Sequence, residues 1–73
     1  MNNIQVGDIV KINEDLVNSG FAGDGYNNDM RFEVLSIDEK YERDYRTEVI
    51  ARLIGSHAYG IDVFSLGMLE LVK

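Results

Sequence analysis

The sequence predicts an all-β fold in which five short antiparallel strands form one small barrel spanning residues 1–73. The first observation is near the start of the chain, where residues 6–12 form a turn followed by an alternating strand. The second is at the other end, where residues 63–73 indicate a strand, a tight break and another short strand. The third is the length of 73 residues, which provides for one hydrophobic core and no second one.

Five segments alternate apolar and polar residues with the period of two that is typical of strands. The third segment carries apolar residues on both faces, so we expect it inside the sheet. In the fourth segment we assign Tyr59, Ile61 and Val63 to one face. The predicted strands lie within residues 9–12, 30–37, 46–54, 58–64 and 69–72. The predicted core residues are Val10, Ile12, Phe32, Val34, Val49, Ala51, Leu53, Ile61, Val63, Leu69 and Leu71.

The connections between these strands differ in length and character. Residues 13–29 form a long first loop rich in Gly and Asn, which tolerate the positive φ angles of turns. Residues 38–45 form a charged hairpin tip that contains two tyrosines. Residues 65–67 leave room for a single helical turn before the last strand, and we expect Gly67 to adopt a positive φ there.

The composition limits the possible functions. Thirteen Asp and Glu against seven Lys and Arg give a net charge of −6, which disfavours direct binding to nucleic acid phosphates. The charge indicates either plain solubility or a surface suited to a basic partner. The absence of cysteine excludes disulfides and cysteine chemistry, and small domains without disulfides are typical of the cytoplasm. No signal segment or membrane span is evident.

No motif in the sequence supports catalysis. The loop at residues 24–29 has oxygen donors, but Tyr26 and Asp29 break the calcium-loop pattern, which needs an oxygen ligand third and Gly sixth. His57 is the only histidine, and no nucleophile elbow accompanies it. We therefore expect a protein that is not an enzyme and has no catalytic residues, cofactor or metal.

Two stretches resemble known small barrels. Residues 64–72, FSLGMLELV, are similar to the ending of SH3 domains, where an apolar strand end enters a 3₁₀ turn and leaves as an apolar-Glu-apolar-apolar strand. Residues 7–10, GDIV, resemble the opening of bacterial SH3-like and KOW-type barrels. The resemblance implies a five-stranded antiparallel SH3-like barrel with a long first loop and a 3₁₀ turn before the last strand.

The sequence also departs from these families. Ser65 and Met68 stand where the SH3 turn carries proline and tyrosine, and the chain has no tryptophan. Because SH3 domains grip proline helices with such aromatics, recognition of proline-rich peptides is not expected. The acidic charge equally disfavours the RNA binding of KOW-type domains.

The tyrosines provide the main hypothesis about function. The predicted partner-binding residues lie in the long loop and the hairpin tip, and they are Tyr26, Asp29, Tyr41, Glu42 and Tyr45. The prediction is a module that binds a protein partner, since aromatic anchors with a charged rim are typical of interfaces. The SH3 resemblance implies that the two segments flank one groove. The alternatives are an acidic nucleic-acid mimic from a mobile element or phage that inhibits a nucleic-acid-binding protein, a structural subunit, or tyrosines that only cap the core. The partner and the oligomeric state remain open.

Overall fold

The computed structural model of the chain describes residues 3–23, 25–38, 43–55 and 60–72 and contains an antiparallel five-stranded sheet. A helix, α1, lies in the first loop and a 3₁₀ turn, η1, precedes the last strand. The all-β class, the five strands and the 3₁₀ turn are confirmed. The elements are β1 (Ile9–Ile12), α1 (Glu14–Ser19), β2 (Phe32–Ile37), β3 (Glu48–Leu53), β4 (Ile61–Ser65), η1 (Leu66–Met68) and β5 (Leu69–Leu71).

The strands follow the order β4-β3-β2-β1-β5, and every neighbouring pair is antiparallel. The third strand lies inside the sheet, as its two apolar faces predicted. The sheet is consistent with a small barrel but is not closed, because β4 and β5 form its two edges within the described residues. The register of β2 against β3 shifts between Val34 and Ser36, which is the irregularity of a β-bulge.

One hydrophobic core lies on the inner face of the sheet. Seven of its residues were predicted from the strand periodicity, while Leu53 and Leu71 are half-buried against it. Ile4, Phe64 and Leu66 were not predicted. Among the described residues, the buried ones are Ile4, Val10, Ile12, Phe32, Val34, Val49, Ala51, Phe64, Leu66 and Leu69.

The predicted inner face of β4 is wrong at Ile61 and Val63, while Tyr59, the third residue assigned to that face, lies outside the described residues. Ile61 and Val63 are 52% and 59% exposed, whereas Phe64 is buried and Asp62 is half-buried. The Phe64 ring packs edge-on against Phe32, with their centroids 5.0 Å apart. A buried aromatic ring removes more apolar surface from water than a β-branched side chain does, so the Phe64 face turns inward.

The first loop contains a helix that the sequence analysis did not predict. Asn13 caps its start, because its Oδ1 accepts a hydrogen bond from the Asp15 nitrogen at 3.0 Å. Gly20 ends it in the left-handed region at φ 83°. Leu16 and Val17 pack against the core, so the helix holds the first half of the loop on the barrel. Within the described residues, no helix is long and apolar enough to span a membrane.

Gly67 does not have the positive φ that was expected. Within the described residues, five other glycines adopt positive φ, and Gly67 instead lies inside η1. A 3₁₀ turn uses the right-handed region, so the position requires no left-handed residue.

Candidate interaction surface

The turn η1 joins the two segments that were predicted to bind a partner. The Asn13 nitrogen, at the start of the first loop, donates to the Met68 oxygen at 2.7 Å. The main-chain nitrogen of Gly67 donates to the main-chain oxygen of Tyr45 at 2.9 Å. The main-chain nitrogen of Leu66 donates to the main-chain oxygen of Thr47 at 2.7 Å. We name the region formed by residues 13–23, 25–29 and 43–47 the loop–turn surface. Main-chain hydrogen bonds attach both of its parts to η1.

The first part of the loop–turn surface presents Phe21, whose side chain is 83% exposed. Phe21 directly follows the Gly20 cap of α1, and the Ala22 nitrogen donates to the Leu16 oxygen at 3.2 Å, which folds the chain back on the helix. The start of α1 is attached to η1 through Asn13, and the six residues of α1 span about 9 Å. Phe21, which follows the end of α1, therefore lies at about the length of this helix from η1. Phe21 was not among the predicted site residues, although an aromatic residue between two turn glycines is visible in the sequence.

The second half of the loop is held by side-chain amides. Asn28 Nδ2 donates to Asn18 Oδ1 at 3.1 Å, which connects the two limbs of the loop. Asn27 Oδ1 accepts from the nitrogens of Asp29 and Met30 at 2.9 and 3.1 Å, an arrangement that forms an Asx turn. The loop is therefore ordered by its own polar side chains.

Tyr26 faces the core. Its ring centroid lies 6.5 Å from that of Phe32 and 5.9 Å from that of Phe64. Its hydroxyl donates to Asp62 Oδ2 at 3.1 Å. Burial first, and then the hydrogen bond and charge of Asp62, raise the pKa of Tyr26 above its ordinary value. Tyr26 is half-buried, so it packs against the core while part of it remains accessible.

Asp29 is exposed at the rim of a surface depression of about 520 Å³. The depression lies between the end of the first loop and the end of β3, where Arg31 and Ile54 also line it. Arg31 Nη1 donates to the oxygens of Asn28 and Met30 at 2.8 and 3.1 Å, so this cation serves to hold the loop. Asp29 thus provides a charge at the edge of the loop–turn surface.

Tyr45 is 70% exposed in a hydrogen-bonded turn. Asp44 accepts from the main-chain nitrogen of Arg46 at 2.7 Å and from its guanidinium at 3.1 Å, while Thr47 Oγ1 accepts from the Asp44 nitrogen at 3.0 Å. The hydrogen bonds from Arg46 lower the pKa of Asp44. The Arg46 guanidinium carbon lies 5.6 Å from the Tyr45 ring centroid, within reach of a cation–π contact.

Two of the five predicted site residues, Tyr41 and Glu42, lie outside the described residues. Of the other three, Asp29 and Tyr45 are exposed and Tyr26 packs mainly inward. Over the described ranges, no three acidic or histidine side chains gather as a metal site. Comparisons with family models, curated proteins and solved structures found no match to this chain.

Proposed function

We propose that this chain is a non-catalytic module that binds a protein partner through the loop–turn surface. The observation that carries the proposal is the exposure of two aromatic side chains, Phe21 and Tyr45, on two segments that hydrogen-bond to the same 3₁₀ turn. Exposed aromatic residues on segments held by main-chain hydrogen bonds favour binding, because their backbone loses little conformational freedom when they are covered.

The charges near Tyr45 and Asp29 suit the rim of such an interface. Arg46 and Asp44 flank Tyr45, and Asp29 lies at the outer end of the loop. A polar rim around aromatic anchors is the usual anatomy of protein interfaces. Tyr41 and Glu42 belong to the proposed site on sequence grounds, since they precede this turn in the same hairpin.

The alternative function, an acidic mimic of nucleic acid, receives less support. Such a mimic needs unpaired carboxylates spaced along one face. In this chain several carboxylates carry a cation next to them, which partly cancels their charge. Ion pairs among the described residues include Glu33 with Arg52 at 2.6 Å, Asp44 with Arg46 at 3.1 Å and Glu70 with Lys11 at 4.0 Å.

The cytoplasmic location is part of the same proposal. It is supported by the lack of cysteine in a chain of 73 residues, since small domains of oxidising compartments usually carry disulfides.

The partner can be captured by affinity purification from the native cell with mass spectrometry, and its affinity then titrated. We expect Phe21→Ala and Tyr45→Ala each to weaken binding, and the Tyr41→Ala/Tyr45→Ala double variant to lose roughly 2 kcal/mol or more. Val6→Ala is the control, because Val6 is 62% exposed and lies outside the loop–turn surface. Unchanged affinity in all the aromatic variants would place the site elsewhere.

The salt dependence of the same titration separates the two functions. An interface centred on Phe21 and Tyr45 should weaken little as salt rises, whereas a phosphate mimic should weaken steeply. Neither function predicts direct binding to duplex DNA or RNA, because a chain with a net charge of −6 is repelled by phosphates. Such binding at physiological salt would therefore contradict both functions.

A further inference from the structure

The outer side of β4 is an open sheet edge. Among the described residues, β4 has β3 on one side and no strand on the other. The Leu53 nitrogen donates to the Gly60 oxygen at 2.6 Å, and the Leu66 nitrogen donates to the Thr47 oxygen at 2.7 Å. Because hydrogen-bonded positions alternate in an antiparallel pair, the main-chain groups of residues 61, 63 and 65 point away from β3.

The exposed side chains of the same strand are apolar. Ile61 and Val63 are 52% and 59% exposed on the outer face, and Val63 lies opposite Ile50 of β3, which is also exposed. Edge strands in natural proteins usually carry lysine, proline or a bulge that prevents further pairing. The five residues of β4 include neither lysine nor proline. The one charged side chain in the strand, Asp62, accepts a hydrogen bond from the Tyr26 hydroxyl.

We propose that this edge binds a second copy of the chain, so that two β4 strands pair antiparallel about a two-fold axis at Val63. This edge shares no residue with the loop–turn surface. Val63 then lies opposite Val63 of the second copy, and Ile61 opposite the second copy's Ser65. All three positions are ones whose main-chain groups point outward, so each opposed pair can exchange two hydrogen bonds.

The outer face of such a dimer places apolar residues against apolar residues at its centre. The central row contains only apolar residues, since Ile50 and Val63 of both copies meet there. The charged residues lie at the ends of the two outer rows, because Ile61 lies beside Arg52 of β3 and Ser65 lies beside Glu48. Arg52 already pairs with Glu33 at 2.6 Å, and no like charges meet across the two-fold axis.

A neighbouring register is disfavoured. A two-fold axis at Asp62 would place two carboxylates directly opposite each other, which is destabilising. The Val63 register avoids this repulsion.

The size of the interface predicts a weak dimer. One short strand and a few flanking side chains bury less than the roughly 1,600 Å² of a standard interface. Each copy also carries a net charge of −6, so the two copies repel each other at long range. Salt screens that repulsion, and we therefore expect the dimer to become stronger as ionic strength rises.

The test is sedimentation equilibrium of the full chain from micromolar to millimolar concentration, at low and high salt. We expect a monomer–dimer equilibrium that strengthens with salt and is at least tenfold weaker in Val63→Lys. Phe21→Lys is the matched control, because it adds the same charge at an exposed apolar residue away from β4. Thermal unfolding of both variants reports whether they remain folded.

Amide exchange gives a second measurement that needs no variant. With rising concentration, the amides of Ile61, Val63 and Ser65 should become protected, while those of Asp62 and Phe64 should already be protected in the monomer. A monomer at every concentration would overturn the proposal, as would a dimer that Val63→Lys leaves intact. Species larger than a dimer would also overturn it, because a two-fold edge pairing closes at two copies.

Discussion

Gly67 lies directly against the main chain of Tyr45. Its nitrogen donates to the main-chain oxygen of Tyr45 at 2.9 Å. A Cβ added at Gly67 would lie 2.9 Å from the Tyr45 Cβ and 3.2 Å from the same main-chain oxygen. The position therefore needs glycine because two segments approach closely, and not because of its φ angle. This contact fixes the main chain of Tyr45 while its side chain remains 70% exposed.

We accordingly expect Gly67→Ala to lower the free energy of unfolding by about 1 to 3 kcal/mol, which is the usual cost of overpacking. Chemical denaturation measures this value. Tyr45→Gly removes the Cβ that the new methyl group would meet, so the cost of Gly67→Ala should be smaller in that background. A Gly67→Ala variant as stable as the parent would show that the turn moves away at no cost.

The periodicity of the sequence predicted most of the sheet, because inward and outward residues alternate clearly in β1 and β3. It failed in β4, where Ile61 and Val63 alternate with Asp62 and Phe64. Hydropathy favours Ile61 and Val63 for the core. In the structure, however, Phe64 packs against Phe32, and the Asp62 carboxylate accepts a hydrogen bond from the Tyr26 hydroxyl. These contacts join residues more than 30 positions apart in the chain, so no local pattern contains them.

The candidate site was predictable only in part. The charged hairpin and the long loop were visible in the sequence, and Tyr45 of the predicted set is exposed. The inward packing of Tyr26 was not predictable, because it depends on the ring of Phe64 and the carboxylate of Asp62. The exposure of Phe21 depends on α1, a six-residue helix whose short apolar pattern gives little periodic signal.

Two adjacent residues of β3 should lose very different amounts of stability when each is replaced by Asp. Val49 is fully buried and Ile50 is exposed on the other face. Val49→Asp buries an unpaired carboxylate, and we expect it to cost several kcal/mol and to unfold a domain whose total stability is about 5 kcal/mol. Ile50→Asp should cost about 1 kcal/mol or less. Circular dichroism and thermal melting measure both variants, and equal losses would contradict the assigned faces.

The raised pKa of Tyr26 predicts a loss of stability in alkali. Since the folded state holds this proton more tightly than the unfolded chain, the contribution is complete below pH 10, the ordinary tyrosine value, and is lost as pH rises through the folded pKa. Urea unfolding of the parent protein between neutral pH and pH 11 should show the decline.

Tyr26→Phe isolates the Tyr26 part of that decline from other alkaline titrations. The variant lacks the hydrogen bond to Asp62, so we expect it to be about 0.5 to 1.5 kcal/mol less stable at neutral pH. The difference between parent and variant should narrow above pH 10. A difference that stays constant through this range would mean that the Tyr26 proton is not coupled to folding.

The N-terminal cap of α1 should control the order of the first loop. Asn13→Ala removes the acceptor for the Asp15 nitrogen, a change that costs about 1 kcal/mol at helix starts. The main-chain bond from Asn13 to Met68 remains in this variant, so the loss should be local. We expect faster amide exchange in α1, since so short a helix does not persist by itself, and little change at Val49 in β3. Asn13→Ser keeps a capping oxygen and should behave like the parent. Equal exchange rates in all three proteins would show that the packing of Leu16 and Val17, and not the cap, holds the helix.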